Sequence, residues 1–181
     1  MDLIKGIQER RSIRKFKDMP VPHEVMEAVV AAASFAPSWK NTQTARYIVV
    51  EQKELIQTIA SDAYMAGFSY NVKTVAGAPA LVILTTVKGR SGYERDGSFS
   101  TPKGDKWEAF DAGIAAQTFC LAAHEKGLGT VIMGIFDEKK IAELIGLPEG
   151  QEIAALIPVG YPDVNPEAPK RKAVSELLTF L

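Results

Sequence analysis

At 181 residues, with 46% hydrophobic and 24% charged side chains, the chain has the size and balance of one globular domain, spanning 1–181, which excludes disordered and collagen-like classes. A formal net charge of -1 leaves no global basic field, so neither nucleic acid nor a membrane surface is an expected partner, although basic residues cluster at 10–17 and 170–172. One cysteine, Cys120, rules out an internal disulfide and a cysteine-based metal site; with no signal-like start and no bilayer-length apolar run, a cytoplasmic protein is expected.

In chain order, Leu3, Ile4 and Ile7 have helical spacing and predict a first helix to about residue 10. Pro22 sits where helices begin, and Val25, Met26, Val29, Val30 and Ala33 predict a second, amphipathic helix that stops before Pro37. The polar stretch APSWKNTQTA follows as a loop. Residues 47–50 read as a short β-branched strand, 55–60 as a helix and 80–86 as a buried strand, because that run is almost wholly aliphatic. Residues 87–106 carry Gly89, Gly92, Gly97, Pro102 and Gly104 among charges, too long and polar for a tight connection, and read as a mobile flap.

The other elements serve the stretch 107–136. After Asp111 and Gly113, the apolar residues Ile114, Ala115, Thr118, Phe119, Leu121 and Ala122 cover more than one stripe, which predicts a central helix buried nearly all round. Lys126 and Gly127 end it, and a short apolar segment at 131–133 leads to Gly134, whose missing Cβ lets backbone approach a flat ligand. Asp137 suits the N-cap of a helix ending at Gly146, and 153–159 supplies another buried strand, for about four in all. Residues 161–181, with Pro162, Pro166 and Pro169, predict an extended arm whose Leu177, Leu178 and Phe180 are exposed unless they dock on a partner.

Several motifs fail on context. GLGTVI has Ile132 where a third glycine belongs and follows a helix instead of opening one; GxxxxGK[ST], HExxH and GxSxG are absent, and His23 and His124 are isolated. Cys120, between Phe119 and Leu121, reads as core packing. In RRSIRKF, Arg10, Ser12 and Arg14 alternate along an extended stretch, so all three can point to one side while Ile13 turns inward. That set suits a phosphate and a second electron-rich acceptor, whereas charge alone favours a solvated basic turn. APSWKNTQ offers Ser38, Asn41 and Gln43, which both donate and accept, beside the flat Trp39, and equally reads as a surface turn.

Together, RRSIRKF, APSWKNTQ and DAGIAAQTFCLAAHEKGLGTVIMG, in this order across nearly the whole chain, resemble the FMN-dependent nitroreductase family. The resemblance implies an α+β, nitroreductase-like fold: a three-layer α/β/α sandwich with a central mixed, mostly antiparallel sheet, and a C-terminal arm reaching the partner subunit of a homodimer with shared active sites. It implies FMN as cofactor, NADH or NADPH as transient donor, and ping-pong hydride transfer to a small nitroaromatic or quinone-like acceptor. No side chain need act as acid or base, because the flavin carries the hydride at N5. By the same resemblance Arg10, Arg11 and Ser12 hold the FMN phosphate and ribityl chain, and Arg14 lies at the N1 and O2 edge. Pro37, Ser38, Trp39, Asn41 and Gln43 face the FMN bound chiefly by the other subunit. Asn71 contacts the pyrimidine side, and the late cations Arg171 and Lys172 close on the phosphate. Where many members have a glutamate before the glycine equivalent to Gly134, this chain has Met133, an apolar and adaptable side chain, while the Gly134 N–H can still approach N5. Reductive dehalogenation or flavin fragmentation on the same fold, and a non-catalytic FMN- or phosphate-binding module, stay open as alternatives.

Overall fold

The computed structural model describes residues 2–181. Its sheet has four strands, β1 (Ala45–Val50), β2 (Ala80–Val87), β3 (Gly129–Thr130) and β4 (Gln151–Gly160), in the order β1-β2-β4-β3, with every neighbouring pair antiparallel. Six α-helices accompany it: α1 (Leu3–Glu9), α2 (His23–Ala33), α3 (Lys53–Ile59), α4 (Ser69–Ala76), α5 (Lys106–Glu125) and α6 (Glu138–Ile145).

β2 is hydrogen-bonded along both edges, from Ala45 opposite Thr86 on one side to Ala80 opposite Val159 on the other. Its alternate side chains therefore feed two separate cores. Ala80, Val82 and Leu84 pack with Val29 and Ala33 of α2 and with Ala116, Phe119 and Ala123 of α5. Leu81 and Ile83 pack with Ile56 and Ile59 of α3, Val75 of α4 and Ile141 of α6. Helices thus cover both faces of the sheet, which gives the three layers. Each fully buried Leu or Ile contributes about 1.5–3 kcal/mol relative to exposure.

Three expectations change, and one helix was not anticipated. The named strands pair antiparallel, so the sheet is not mixed; among the described residues its one parallel contact is the isolated bridge of Ser12 with Thr130. The strand expected at 131–133 lies two residues earlier, where Gly129 and Thr130 face Gly160 and Val159, and Met133 makes only a single bridge to Leu156. α4 was not recognisable from periodicity because its buried residues are Asn71, Thr74 and Val75, a mostly polar stripe. α5 is buried along one stripe, Ala112, Ala115, Ala116, Phe119, Cys120 and Ala123, and its other side, with Phe110, Gly113 and Gln117, is open in this chain. The end signals were legible: Gly127 and Gly146 both adopt left-handed φ, and the Asp137 carboxylate accepts from the Lys140 N–H.

The segment after α1 lies against the end of the sheet because two glycines make room. A Cβ on Gly129 would stand 2.6 Å from Ile13, and one on Gly160 would stand 2.6 Å from Pro79 and 3.1 Å from Phe16. We expect Gly129→Ala to lift Ile13 and destabilise the protein by about 1–3 kcal/mol. A urea unfolding curve with an unchanged midpoint would contradict this account of the contact.

Candidate active site

RRSIRKF leaves α1 through its own backbone. The Arg10 N–H donates to the Gly6 carbonyl at 3.0 Å, and Arg11 Nη1 donates to the Gln8 and Arg10 carbonyls at 2.6 and 2.8 Å, satisfying acceptors that the helix end leaves open. The chain then extends beside β3, with the Ile13 N–H on the Thr130 carbonyl at 2.9 Å. Ile13 is buried while Ser12 and Arg14 face outward, the alternation of an extended chain. Farther along, the Lys17 N–H donates to Tyr161 O and the Asp163 N–H donates to Lys15 O, so the late arm runs beside the early segment. This pairing carries Arg171 to the arginines.

Arg10, Arg11, Ser12, Arg14 and Arg171 line one cavity of about 320 Å³, with Glu167 as its carboxylate. Lys172 does not line it. Arg10 Nε is buried without a hydrogen-bond partner, and the Arg14 guanidinium sits 5.5 Å from the centre of the Tyr70 ring. A surplus of guanidiniums with one orphaned buried donor suits a phosphate-bearing ligand and would be poorly stabilised without one.

Asn71 is buried on α4, and its Nδ2 donates to the Ile135 carbonyl at 3.2 Å. Met133, which stands before Gly134, turns its side chain inward. It is buried in the second core, and Leu156 engages both its N–H and its carbonyl. Gly134 is exposed, and a Cβ there would meet nothing within 4 Å, so its backbone is open to a flat ring.

The 38–43 loop lies elsewhere. Pro37, Ser38 and Gln43 line a second cavity of about 280 Å³ together with Tyr47, Asp111 and Ala115; Trp39 and Asn41 line neither cavity. Burial pushes the Tyr47 phenol up to about 12, so it stays protonated. Lys40, Asn41 and Gln43 all adopt left-handed φ, at 45°, 56° and 49°, a conformation unfavourable for residues with a Cβ. Neighbours hold the loop there. The Trp39 N–H donates to Asp111 Oδ2 at 2.8 Å, the Gln43 N–H to Ser38 Oγ at 2.9 Å, and the Trp39 and Trp107 rings lie 4.7 Å apart.

The same α5 carboxylates fasten the 87–106 segment. The Ser91 hydroxyl donates to Asp111 Oδ2 at 2.5 Å, and one turn earlier Glu108 Oε1 accepts from the Gly89 N–H at 2.6 Å. Lys40 Nζ joins the two loops through Glu94, at 2.8 and 3.0 Å. The segment read as a flap therefore has a pinned base and an exposed tip at 94–99. Sequence reasoning gave Glu108 and Asp111 no role. Their signal was two acids three residues apart in an apolar helix, a pattern that needs buried partners.

A sequence profile described as the Nitroreductase family matches residues 7–161 of this chain, which contain the arginine segment, the 38–43 loop and α5. The chain belongs to the nitroreductase family. It is 32% identical over 170 residues to a Methanothermobacter thermautotrophicus protein provisionally named NADH dehydrogenase/NAD(P)H nitroreductase, covering 92% of this chain and 80% of that one. A nitroreductase family protein of known structure from Streptococcus pneumoniae TIGR4 superposes with a TM-score of 0.84 at 23% identity, over 99% of this chain and 100% of that one. Oxidised iodotyrosine deiodinase, solved with FMN and 3-iodo-L-tyrosine, gives 0.78 at 23% identity over 98% and 100%. At such identities the two structures establish a nitroreductase-like α+β fold. Among the described residues no helix is long and apolar enough to cross a membrane.

Within this nitroreductase-family fold, Asp111 holds two loops with one carboxylate. Asp111→Ala should strand the Trp39 N–H and the Ser91 hydroxyl and cost about 1–3 kcal/mol. Hydrogen exchange should speed up at residues 89–94 and at Trp39 together; acceleration in only one loop would contradict the shared anchor.

Proposed function

We propose that the chain is an FMN-dependent NAD(P)H oxidoreductase. It takes a hydride from NADH or NADPH and passes it to a nitroaromatic or quinone-like acceptor by a ping-pong route. Bound FMN supplies the hydride chemistry, and the protein contributes binding, orientation and electrostatics. The observation that carries this reading is the cavity that unites Arg10, Arg11, Ser12, Arg14 and Arg171, with its orphaned Arg10 Nε. Arg10, Ser12 and Arg171 bind the terminal phosphate, and Arg14 stabilises negative charge on the reduced ring. Arg11 contributes charge at the rim while its Nη1 stays on the end of α1. The open backbone at Gly134 admits the ring plane, and Asn71 serves its polar edge.

What one chain leaves incomplete supports a homodimer with shared sites. The arginine cavity and the 38–43 loop are separate in a single chain, so a partner would bring Pro37, Ser38, Trp39, Asn41 and Gln43 to the flavin. Leu3, Ile4 and Ile7 on α1, Phe110 on α5 and Leu177, Leu178 and Phe180 on the arm are all exposed, more apolar surface than a small domain ordinarily leaves to water. The arm, residues 161–181, reaches across the partner in this reading.

Size-exclusion chromatography with light scattering and absorbance should show a yellow dimer carrying one FMN per chain, bleached by NADH or NADPH. The Arg10→Ala, Arg171→Ala double variant should bind FMN at least about 100-fold more weakly, since each substitution removes charge-assisted hydrogen bonds. FAD as the only flavin, or a flavin-saturated monomer, overturns the assignment. Arg14→Ala should retain FMN and lower its two-electron reduction potential by about 20–45 mV. An unchanged potential in the loaded variant would remove Arg14 from the ring's electrostatics.

A further inference from the structure

A third cavity, of about 460 Å³, opens between the 38–43 loop and the 87–106 segment, and Lys40, Arg90, Arg95 and Glu94 line it with Thr42 and Tyr93. Three cations and one carboxylate give it a formal charge of +2. Glu94 is bound to Lys40, whose ammonium holds the carboxyl below its ordinary range. Among the described residues no hydrogen bond or ion pair engages the side chain of Arg90 or Arg95, so two guanidinium forks are available to one space. The root of Arg90 is fixed, because Gly89 beside it donates to Glu108 on α5. Lys40 reaches the cavity from a left-handed backbone, φ 45° and ψ 28°, in a loop anchored to Asp111. A non-glycine residue held in that conformation is a reason to look for a use of its side chain.

We propose that this cavity is a subsite for a phosphate monoester, separate from the Arg10–Arg171 cavity and carried by the electron donor or the electron acceptor. The proposal rests on the reading that the 38–43 loop faces the flavin of the partner's site. A phosphate monoester brings a charge of about -1.5 to -2 and three acceptor oxygens, which matches two forks and an ammonium better than the single charge of a carboxylate. Arg90 and Arg95 grip it through their forks. Lys40 is shared between the incoming phosphate and Glu94, so Glu94 opposes binding.

Calorimetric titration with 2′-AMP and with adenosine reads the subsite without turnover. The native protein should bind 2′-AMP at least tenfold more tightly than adenosine. In the Arg90→Gln, Arg95→Gln double variant, both positions being exposed, the advantage should fall below twofold, and Glu94→Gln should raise it about threefold. Equal affinities in the native protein, or an advantage unchanged in the double variant, overturn the proposal. In the flavin-loaded enzyme, kcat/KM ratios for NADPH over NADH and for added FMN over riboflavin locate the phosphate. A roughly tenfold fall of the first ratio in the double variant assigns it to the donor, and a fall of the second assigns it to the acceptor. If neither ratio falls, the subsite is not used and the proposal fails. Flavin content of the same preparations reads the FMN assignment independently, and a flavin-free protein leaves the 2′-AMP titration to decide the subsite.

Discussion

The fold depends on β2 being buried on both faces and paired along both edges. A strand in that position can expose no side chain, so Ala80 to Leu84 must all be apolar and each face must be covered by helices. Antiparallel sheets commonly leave one face to water; this one cannot. The two cores that follow are separate, one holding α2 and α5 and the other α3, α4 and α6. The polar groups that line the arginine cavity consequently lie outside the strands, on the segment after α1 and on the late arm.

Two devices then position those groups. Small residues at Gly129 and Gly160 let the arginine segment lie flat on the end of the sheet, and backbone pairing with the late arm adds the cation from residue 171. At the first turns of α5, Glu108 and Asp111 take hydrogen bonds from two loops at once. A buried carboxylate is stabilised only when its acceptor sites are filled, so the same bonds that satisfy the acids also fix the loops. The central helix therefore serves as a core element along one stripe and as an anchor for backbone at its start.

Legibility in the sequence followed the physics of each feature. The aliphatic run of β2, the Asp137 cap and the glycines after α5 and α6 act locally and could be read directly. So could the outward alternation of Ser12 and Arg14, because an extended chain has a period of two. α4 was hidden by its polar buried stripe. The second apolar side of α5 looked like core in sequence, since composition does not say which neighbour covers a residue. Burial of the Met133 side chain, between exposed Ile132 and exposed Gly134, follows the same alternation. Between Arg171 and Lys172 only the course of the arm decides, and that depends on pairing with residues about 150 positions away.

The pairing of 15–17 with 161–163 also has a consequence in time. The cationic cavity joins residues 10–14 to residue 171, so its early part waits for a segment made about 160 residues later, roughly 10–30 s at ordinary rates of synthesis. Among the described residues all four strands precede residue 161, so the sheet's own residues are made before the cavity's last guanidinium. The cavity is therefore complete only in a chain translated through its arm, and its full set of guanidiniums marks such a chain.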